Sequence, residues 1–446
     1  MTPTLSDAGT ALALFSILLI PFAIAGLALM NAGLVRSRNA THVMMSTLCV
    51  VSVAAGAYFV CGFAWQGVIG GPAHVVRIHG KEWNWLAGQS PFWVGVDWNG
   101  SPASLAAWMQ MLSVALAALI PLGAGAERWR LGAACISAAL FAGLIYPLFA
   151  HAVWGGGWLA ALGVNYGLGH GFVDTGGSAV IQSVGGLTAL ALAWILGPRR
   201  GKFTHDGMPT AIPGHNAVFV LFGCLMAWVG WLGLNSAGAL LFSGVDPRRI
   251  ALIAVNTTLS AAAAAGAAAV VTRVRFGRPD ASLSANGWVA GLAAGSGACA
   301  FVPPAAAILI GMVAGILIPL AIENLELRLK IDDPAGAVSV HALGGLWGVL
   351  AVGLLGRFPV PVRNTAESLS QAVSLGDSGQ WLAQLIGAAT LLGLVLPLAY
   401  AANWLLNRLL PLRAAPEGER QGLDLYELGA GAYPEFMIHN DEFLPR

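Results

Sequence analysis

The sequence predicts an all-α polytopic membrane protein of eleven transmembrane helices, built as an inverted five-plus-five repeat with one extra helix. Three observations carry this. Of the 446 residues, 57% are apolar and only 10% charged, and mean hydropathy is +0.73, whereas soluble chains average about 25% charged residues. Apolar runs of about 20 residues, the length that crosses a bilayer, fall at 9–31, 42–64, 103–124, 132–153, 176–197, 215–238, 250–272, 284–302, 304–325, 335–356 and 382–407. A polar pattern also occurs twice. "DTGGSAVIQSVGGL" from Asp174 and "DPAGAVSVHALGGL" from Asp333 both fit D-x7-[Q/H]-x2-G-G-L, with Gln182 in the first and His341 in the second.

The elements follow in order. "MTPTLSDAGTALALFSILLIPFAIAGLALMNAGL" has no basic leader or small-residue cleavage site, and its apolar run exceeds a secretory h-region, so it reads as a retained first span. An odd span count puts the termini on opposite sides, and Lys/Arg asymmetry sets the orientation. With the N-terminus outside, the inner segments hold Arg36, Arg38, Arg128, Arg130, Arg199, Arg200, Lys202, Arg273, Arg275, Arg278, Arg328, Lys330, Arg408, Arg413, Arg420 and Arg446. The opposite face keeps only Arg77, Lys81, Arg248, Arg249, Arg357 and Arg363, which favours N-outside and C-inside. Of the longer outer loops, 65–102 and 357–381, the first is rich in Trp and Gly and is expected to cap an outer vestibule.

Glycines cluster in "GLTALALAWILG", "GWVAGLAAGSGACA" and "GGLWGVLAVGLLG". Small residues let helices approach where lipid supplies no hydrophobic drive between them, so a tightly packed bundle is expected. Cys49, Cys61, Cys135, Cys224 and Cys299 all lie in predicted spans without CxxC spacing and read as small core residues. His42, His74, His79, His170, His205, His215 and His439 have no ligand spacing, and no metal site or cofactor is expected. His151 beside Trp154 reads as a helix-end structural residue or a vestibule residue. The composition shows no basic nucleic-acid patch. No nucleophile–base set, Walker motif or dinucleotide fingerprint is present either, and "GWVAGLAAGSG" is helix packing, so an enzyme is not expected.

The two polar copies stand in the fifth and tenth spans. Five spans per half means that the copies run in opposite directions, an arrangement that places the substrate path between the halves near the bilayer midplane. Gln182 and His341, each about two turns beyond its aspartate, should face one another where polar groups are costly and usually functional. Asp174 and Asp333 at the helix starts either cap free N–H groups or pull on a cation. Domain boundaries follow: a transmembrane unit over 1–410, with halves at about 9–197 and 215–356 and the extra helix at about 382–407, then a tail over 411–446.

"MNAGLVRSRN", "AERWRLGA", "HAVWGGGWLAALG", "GFVDTGGSAV", "GWLGLNSAG", "DDPAGAVSVHALGGLWG" and "GLDLYELGAGAY" together resemble the ammonium transporter (Amt/Mep/Rh) family over nearly the whole chain. The resemblance implies a homotrimer in a cell membrane, a bacterial inner membrane, in which each protomer has its own apolar pore for ammonia. It matches Trp154 to the tryptophan of an outer ammonium recruitment site, where its face attracts the cation. The partner serine falls at Gly238, and Asp174 belongs to the same site. The two phenylalanines of the pore entrance fall at Ser113 and Leu234, with Met109 and Leu112 able to supply bulk. His341 matches one pore histidine, Gln182 stands at the other, and Asp333 is the structural aspartate of the second copy.

A glutamine cannot titrate near neutral pH, so this pair cannot relay a proton as two imidazoles would. The departures leave three readings: an ammonium or methylammonium transporter with altered coupling, a channel for another small neutral or amine solute, and a non-conducting ammonium sensor. "NYGLGHGF" is expected to pack near Trp154. The tail resembles the family's cytoplasmic segment, which couples protomers and cooperates with P-II signalling proteins, but Leu428 and Ala430 replace its characteristic histidine and acidic residue.

Overall fold

Chain that leaves water must satisfy its own backbone groups, and long apolar runs do so as helices. The computed structural model describes residues 5–358 and 378–434. Among these residues, ten helices are long and apolar enough to cross a membrane: α1 (Asp7–Leu34), α2 (Ser37–Gln66), α3 (Pro102–Gly125), α4 (Leu131–Trp154), α5 (Ser178–Leu196), α6 (Ala217–Leu241), α7 (Pro247–Phe276), α9 (Pro304–Leu327), α10 (Val338–Leu355) and α11 (Gly379–Leu409). The remaining predicted span is the shorter helix α8 (Ala281–Ser296). It stops before the expected 302 because its last carbonyls are used elsewhere: Ser296 O accepts from Gly176 N and Gly297 O from Thr175 N, at 3.0 and 3.2 Å.

The expected close packing is present. On α1 and α6, the first helices of the two halves, Gly26 lies directly against the backbone of Gly223 and Ala227, and Gly230 against Ala23. Of the cysteines, Cys224 and Cys299 are buried, whereas Cys49, Cys61 and Cys135 are partly exposed on α2 and α4.

The first long loop contains two strands that were not anticipated, β1 (Ala73–Ile78) and β2 (Lys81–Ala87), paired antiparallel around a tight turn at His79 and Gly80. β-branched and aromatic residues on both sides of the turn explain the hairpin. His151 joins the hairpin to the bundle, with Nδ1 at 2.7 Å from Gln66 O and Nε2 at 2.8 Å from Asn84 Oδ1, which makes it a structural tie. "NYGLGHGF" packs on this hairpin more than on Trp154: Asn165 Nδ2 donates to Glu82 O at 2.7 Å and Tyr166 meets Trp83 edge-on. The second long loop lies, apart from its ends, outside the described residues.

The opposite end of the bundle is held by charge. Arg199 grips Asp332 with Nε and Nη2, both at 2.9 Å, and Glu127 with Nη1 at 3.0 Å. Arg128, fully buried, donates to the Asp332 and Gly197 carbonyls at 2.8 and 2.7 Å. Arg36 closes the network on Glu127, so the ends of α1, α3 and α5 and the start of α10 share one ionic hub. Burial alone would raise the Asp332 carboxyl, but the Arg199 fork and the Arg128 charge outweigh it and hold Asp332 below the usual carboxylate range.

The tail packs on this end of its own chain. Asp424 accepts from His42 N at 2.7 Å and Thr41 N at 3.2 Å, and Glu427 accepts from Leu131 N and lies 2.9 Å from His42 Nε2.

Removing one partner of a buried charge network strands the others. Asp332→Asn is therefore expected to cost about 3 kcal/mol at pH 7. Because the folded carboxyl is depressed, its stabilisation is full above the unfolded value of 3.8 and declines as pH falls through the lower folded value. Thermal melts of the purified protein should show the gap between native and variant narrowing in acid.

Candidate functional site

The two polar repeats meet as their symmetry requires. Gly186, the second glycine of the first Gly-Gly-Leu, lies against the backbone of His341 and Ala342, and Gly345, its counterpart, lies against that of Ser178 and Ser183. A Cβ at either position would strike main chain, so the pair of glycines is what lets α5 and α10 cross in contact. Both helices open with a π-helical turn, Ser178–Ser183 in α5 and Val338–Leu343 in α10. Such turns swing side chains out of the regular α register and recur at functional sites; they carry Gln182 and His341.

At the crossing, His341 Nδ1 donates to Gln182 Oε1 at 2.7 Å. Gln182 is fully buried and His341 is 5% exposed. Since an amide oxygen only accepts, Nδ1 carries the proton and the neutral ring leaves Nε2 as an acceptor. Gln182 Nε2 is buried with no partner among the described residues, a donor held without satisfaction. The pair thus offers one donor and one acceptor and no second titratable group.

Both aspartates act as helix caps. Asp174 accepts from Gly177, Ala179 and Val180 N at 3.0, 2.9 and 2.9 Å. Asp333 accepts from Ala337 and Val338 N at 2.9 and 2.7 Å. These bonds satisfy the free N–H groups of two buried helix starts, where an unpaired group would cost about 1–3 kcal/mol.

Trp154 is buried, and its Nε1 donates to the Asp174 carbonyl at 2.7 Å. Phe242, which the sequence did not single out, stacks on it with centroids 4.4 Å apart and planes at 11°. One indole face is therefore already covered, and a cation has only the other. Two cavities, of about 400 and 270 Å³, flank this aromatic wall; Leu5, Val68, Ala106 and Gln110 line the first, and Phe172, Asp174, Ser243 and Phe301 the second. Gly238 lies against the Thr175 carbonyl, which leaves no space for the side chain that the resemblance leads one to expect.

Below the larger cavity, Ser113 and Leu234 are fully buried, and the Ser113 hydroxyl donates to Met109 O at 2.8 Å. Met109 is fully buried beside them, whereas Leu112 is only half-buried. On the other side of the pair, a cleft bounded by Met30, Asn31, Asn286, Val340 and His341 narrows to about 10 Å³.

The sequence profile of the Ammonium Transporter Family matches residues 11–433. The chain is 36% identical over 428 residues to the ammonium transporter Amt2 of Archaeoglobus fulgidus, covering 95% of this chain and 88% of that one. It is 32% identical to the ammonium transporter of Bacillus subtilis, covering 95% and 98%. Among solved structures, it is similar to a sensor Amt protein, with TM-score 0.81 and 27% identity over 94% of this chain and 98% of that one. It also shares the fold of Candida albicans Mep2, with TM-score 0.77 and 24% identity over 97% and 92%.

The crossing makes a direct expectation. Gly186→Val and Gly345→Val must push α5 and α10 apart or strain them, at about 1–3 kcal/mol each. Thermal melts should fall for both, while a substitution at Gly393, where an added Cβ would meet nothing beyond its own helix backbone, leaves the midpoint unchanged.

Proposed function

The chain belongs to the Ammonium Transporter Family, and from that premise we propose that it carries ammonium across the membrane, releasing ammonia into an apolar pore in each protomer. The observation that carries the proposal is the buried contact of Gln182 with His341 at the crossing of two opposed half-helices. Ammonia has one lone pair and three N–H groups. Gln182 Nε2 can donate to the lone pair and His341 Nε2 can accept from an N–H, so the pair matches the neutral molecule.

In this reading, the Trp154 end faces outside and the Arg128 end faces the cytoplasm, in agreement with the Lys/Arg distribution. Residues 1–410 form the transporting unit and 411–446 the cytoplasmic tail. Trp154 and Asp174 receive the cation beside Gly238, with the free indole face supplying cation–π attraction. Ser113 and Leu234 form the entrance to the pore, Gln182 and His341 line it, and Asp333 holds the second half-helix. The same reading assigns a homotrimer in a bacterial inner membrane. It makes a P-II signalling protein the candidate partner at the tail face, where Leu428 and Ala430 depart from the family's residues.

A second reading, ammonium sensing without conduction, is favoured by the similarity to a sensor Amt protein. Uptake of labelled methylammonium into liposomes separates the two. Transport predicts saturable uptake in the native protein and, because a hydrogen-bonding group in the pore contributes about 1–1.5 kcal/mol, a loss of about tenfold in His341→Ala. A folded native protein with no uptake above empty liposomes would leave the sensor.

A further inference from the structure

Resting on that reading, we infer that Gln110, positioned by Tyr58, is the polar residue that receives the solute between the outer aromatic wall and the pore. Ala103, Ala106 and Gln110 follow one another at spacings of three and four and all line the larger cavity, so they form one helical face descending from the mouth. Gln110 is the innermost of the row. Ser113, the entrance position, continues the same face one turn, about 4.5 Å, deeper. Trp154 and Phe242 close the cavity from the other side, so a solute that passes them meets Gln110 before it meets Ser113.

The side chain is fully buried and half-satisfied. Tyr58, itself fully buried, donates its hydroxyl to Gln110 Oε1 at 3.1 Å. Gln110 Nε2 has no partner among the described residues, and an unsatisfied buried amide is costly enough, about 1–3 kcal/mol, to favour any guest that pairs with it. Apart from Ser101 at the mouth, whose hydroxyl caps the start of α3 by accepting from Ser104 N, the rest of the cavity wall on this side is apolar, with Leu5, Val68, Ile69 and Leu241, so the amide is the polar feature a guest encounters deeper in.

Its pairing with a hydroxyl makes it adaptable. A tyrosine hydroxyl both donates and accepts. With Oε1 turned to Tyr58, the amide shows the cavity an N–H, which suits the lone pair of ammonia or an amine. Rotated by half a turn, it gives its N–H to the Tyr58 oxygen and shows Oε1, which suits the N–H groups of ammonium. A phenylalanine pair at the entrance would supply neither contact. Gln110 therefore accommodates the solute before and after it loses its proton, and the class of ligand it fits is a small cation or amine bearing at least one N–H.

Isothermal titration calorimetry on the full-length protein in lipid nanodiscs, with ammonium, methylammonium and tetramethylammonium chlorides, tests this. Native protein should bind the first two and not tetramethylammonium, which has no N–H. Gln110→Met should weaken ammonium binding about tenfold, the value of one hydrogen bond to a charged group. Gln110→Glu, which keeps the length and fixes an acceptor toward the guest, should restore or exceed native affinity for ammonium, and Tyr58→Phe should weaken it less than Gln110→Met does. If Gln110→Met unfolds, Gln110→Glu decides alone, since its retained or raised affinity supports the role and its loss contradicts it. Native-like binding by Gln110→Met, equal binding of tetramethylammonium, or no ammonium binding by native protein would overturn the inference. Liposome uptake keeps the two readings apart: binding without uptake sinks transport but not Gln110, and uptake that ignores Gln110→Met sinks Gln110 alone.

Discussion

The hydrogen bond from His341 to Gln182 is the constraint on which the rest of the molecule depends. To place two polar side chains 2.7 Å apart inside an apolar bundle, the two half-helices must cross in backbone contact, and Gly186 and Gly345 permit this. The half-helices must also begin inside the bundle, which exposes N–H groups that Asp174 and Asp333 satisfy. Their opposed directions follow from five spans per half. At the basic end, the start of α10 is tied through Asp332 to the ends of α3 and α5, so the ionic hub that stabilises the fold also holds the pore helices in register.

Much of this could be read from the residues. Long apolar runs located the helices, because length and composition alone separate membrane spans from loops. Identical spacing of Asp174 to Gln182 and of Asp333 to His341 exposes the repeat and pairs the two residues by symmetry. What stayed hidden has physical causes. The π-helical turns at Ser178–Ser183 and Val338–Leu343 leave no mark in an all-apolar pattern, since every face of such a helix reads alike. The Arg199–Asp332–Glu127 hub joins residues far apart in the chain, and spacing carries no information about them. Phe242, just past the end of α6, and Gln110, within α3, are one aromatic and one amide among many, and only their neighbours distinguish them. The hairpin at 73–87 did carry a signal, β-branched and aromatic residues about a His-Gly turn, which the composition of the loop obscured.

Four positions, Gly238, Ser113, Leu234 and Gln182, depart from the pattern that the resemblance implies. Gly238 leaves no side chain beside the Thr175 carbonyl, Ser113 turns its hydroxyl back to its own helix, Leu234 is fully buried, and Gln182 stands where the resemblance expects an imidazole. Gly238 and Gln182 lower the hydrogen-bonding or proton capacity that such a path offers to a cation, while Ser113 and Leu234 remove aromatic bulk from its entrance.

In the proposed reading, the Gln182–His341 pair passes ammonia without its proton. That reading is tested most directly by measuring current and ammonia flux together on protein in liposomes given ammonium pulses, in native protein and in Gln182→His. The native protein should show flux with little or no charge movement, and introducing the second imidazole should give a gain of current. A native current that matches the flux charge for charge would contradict the reading.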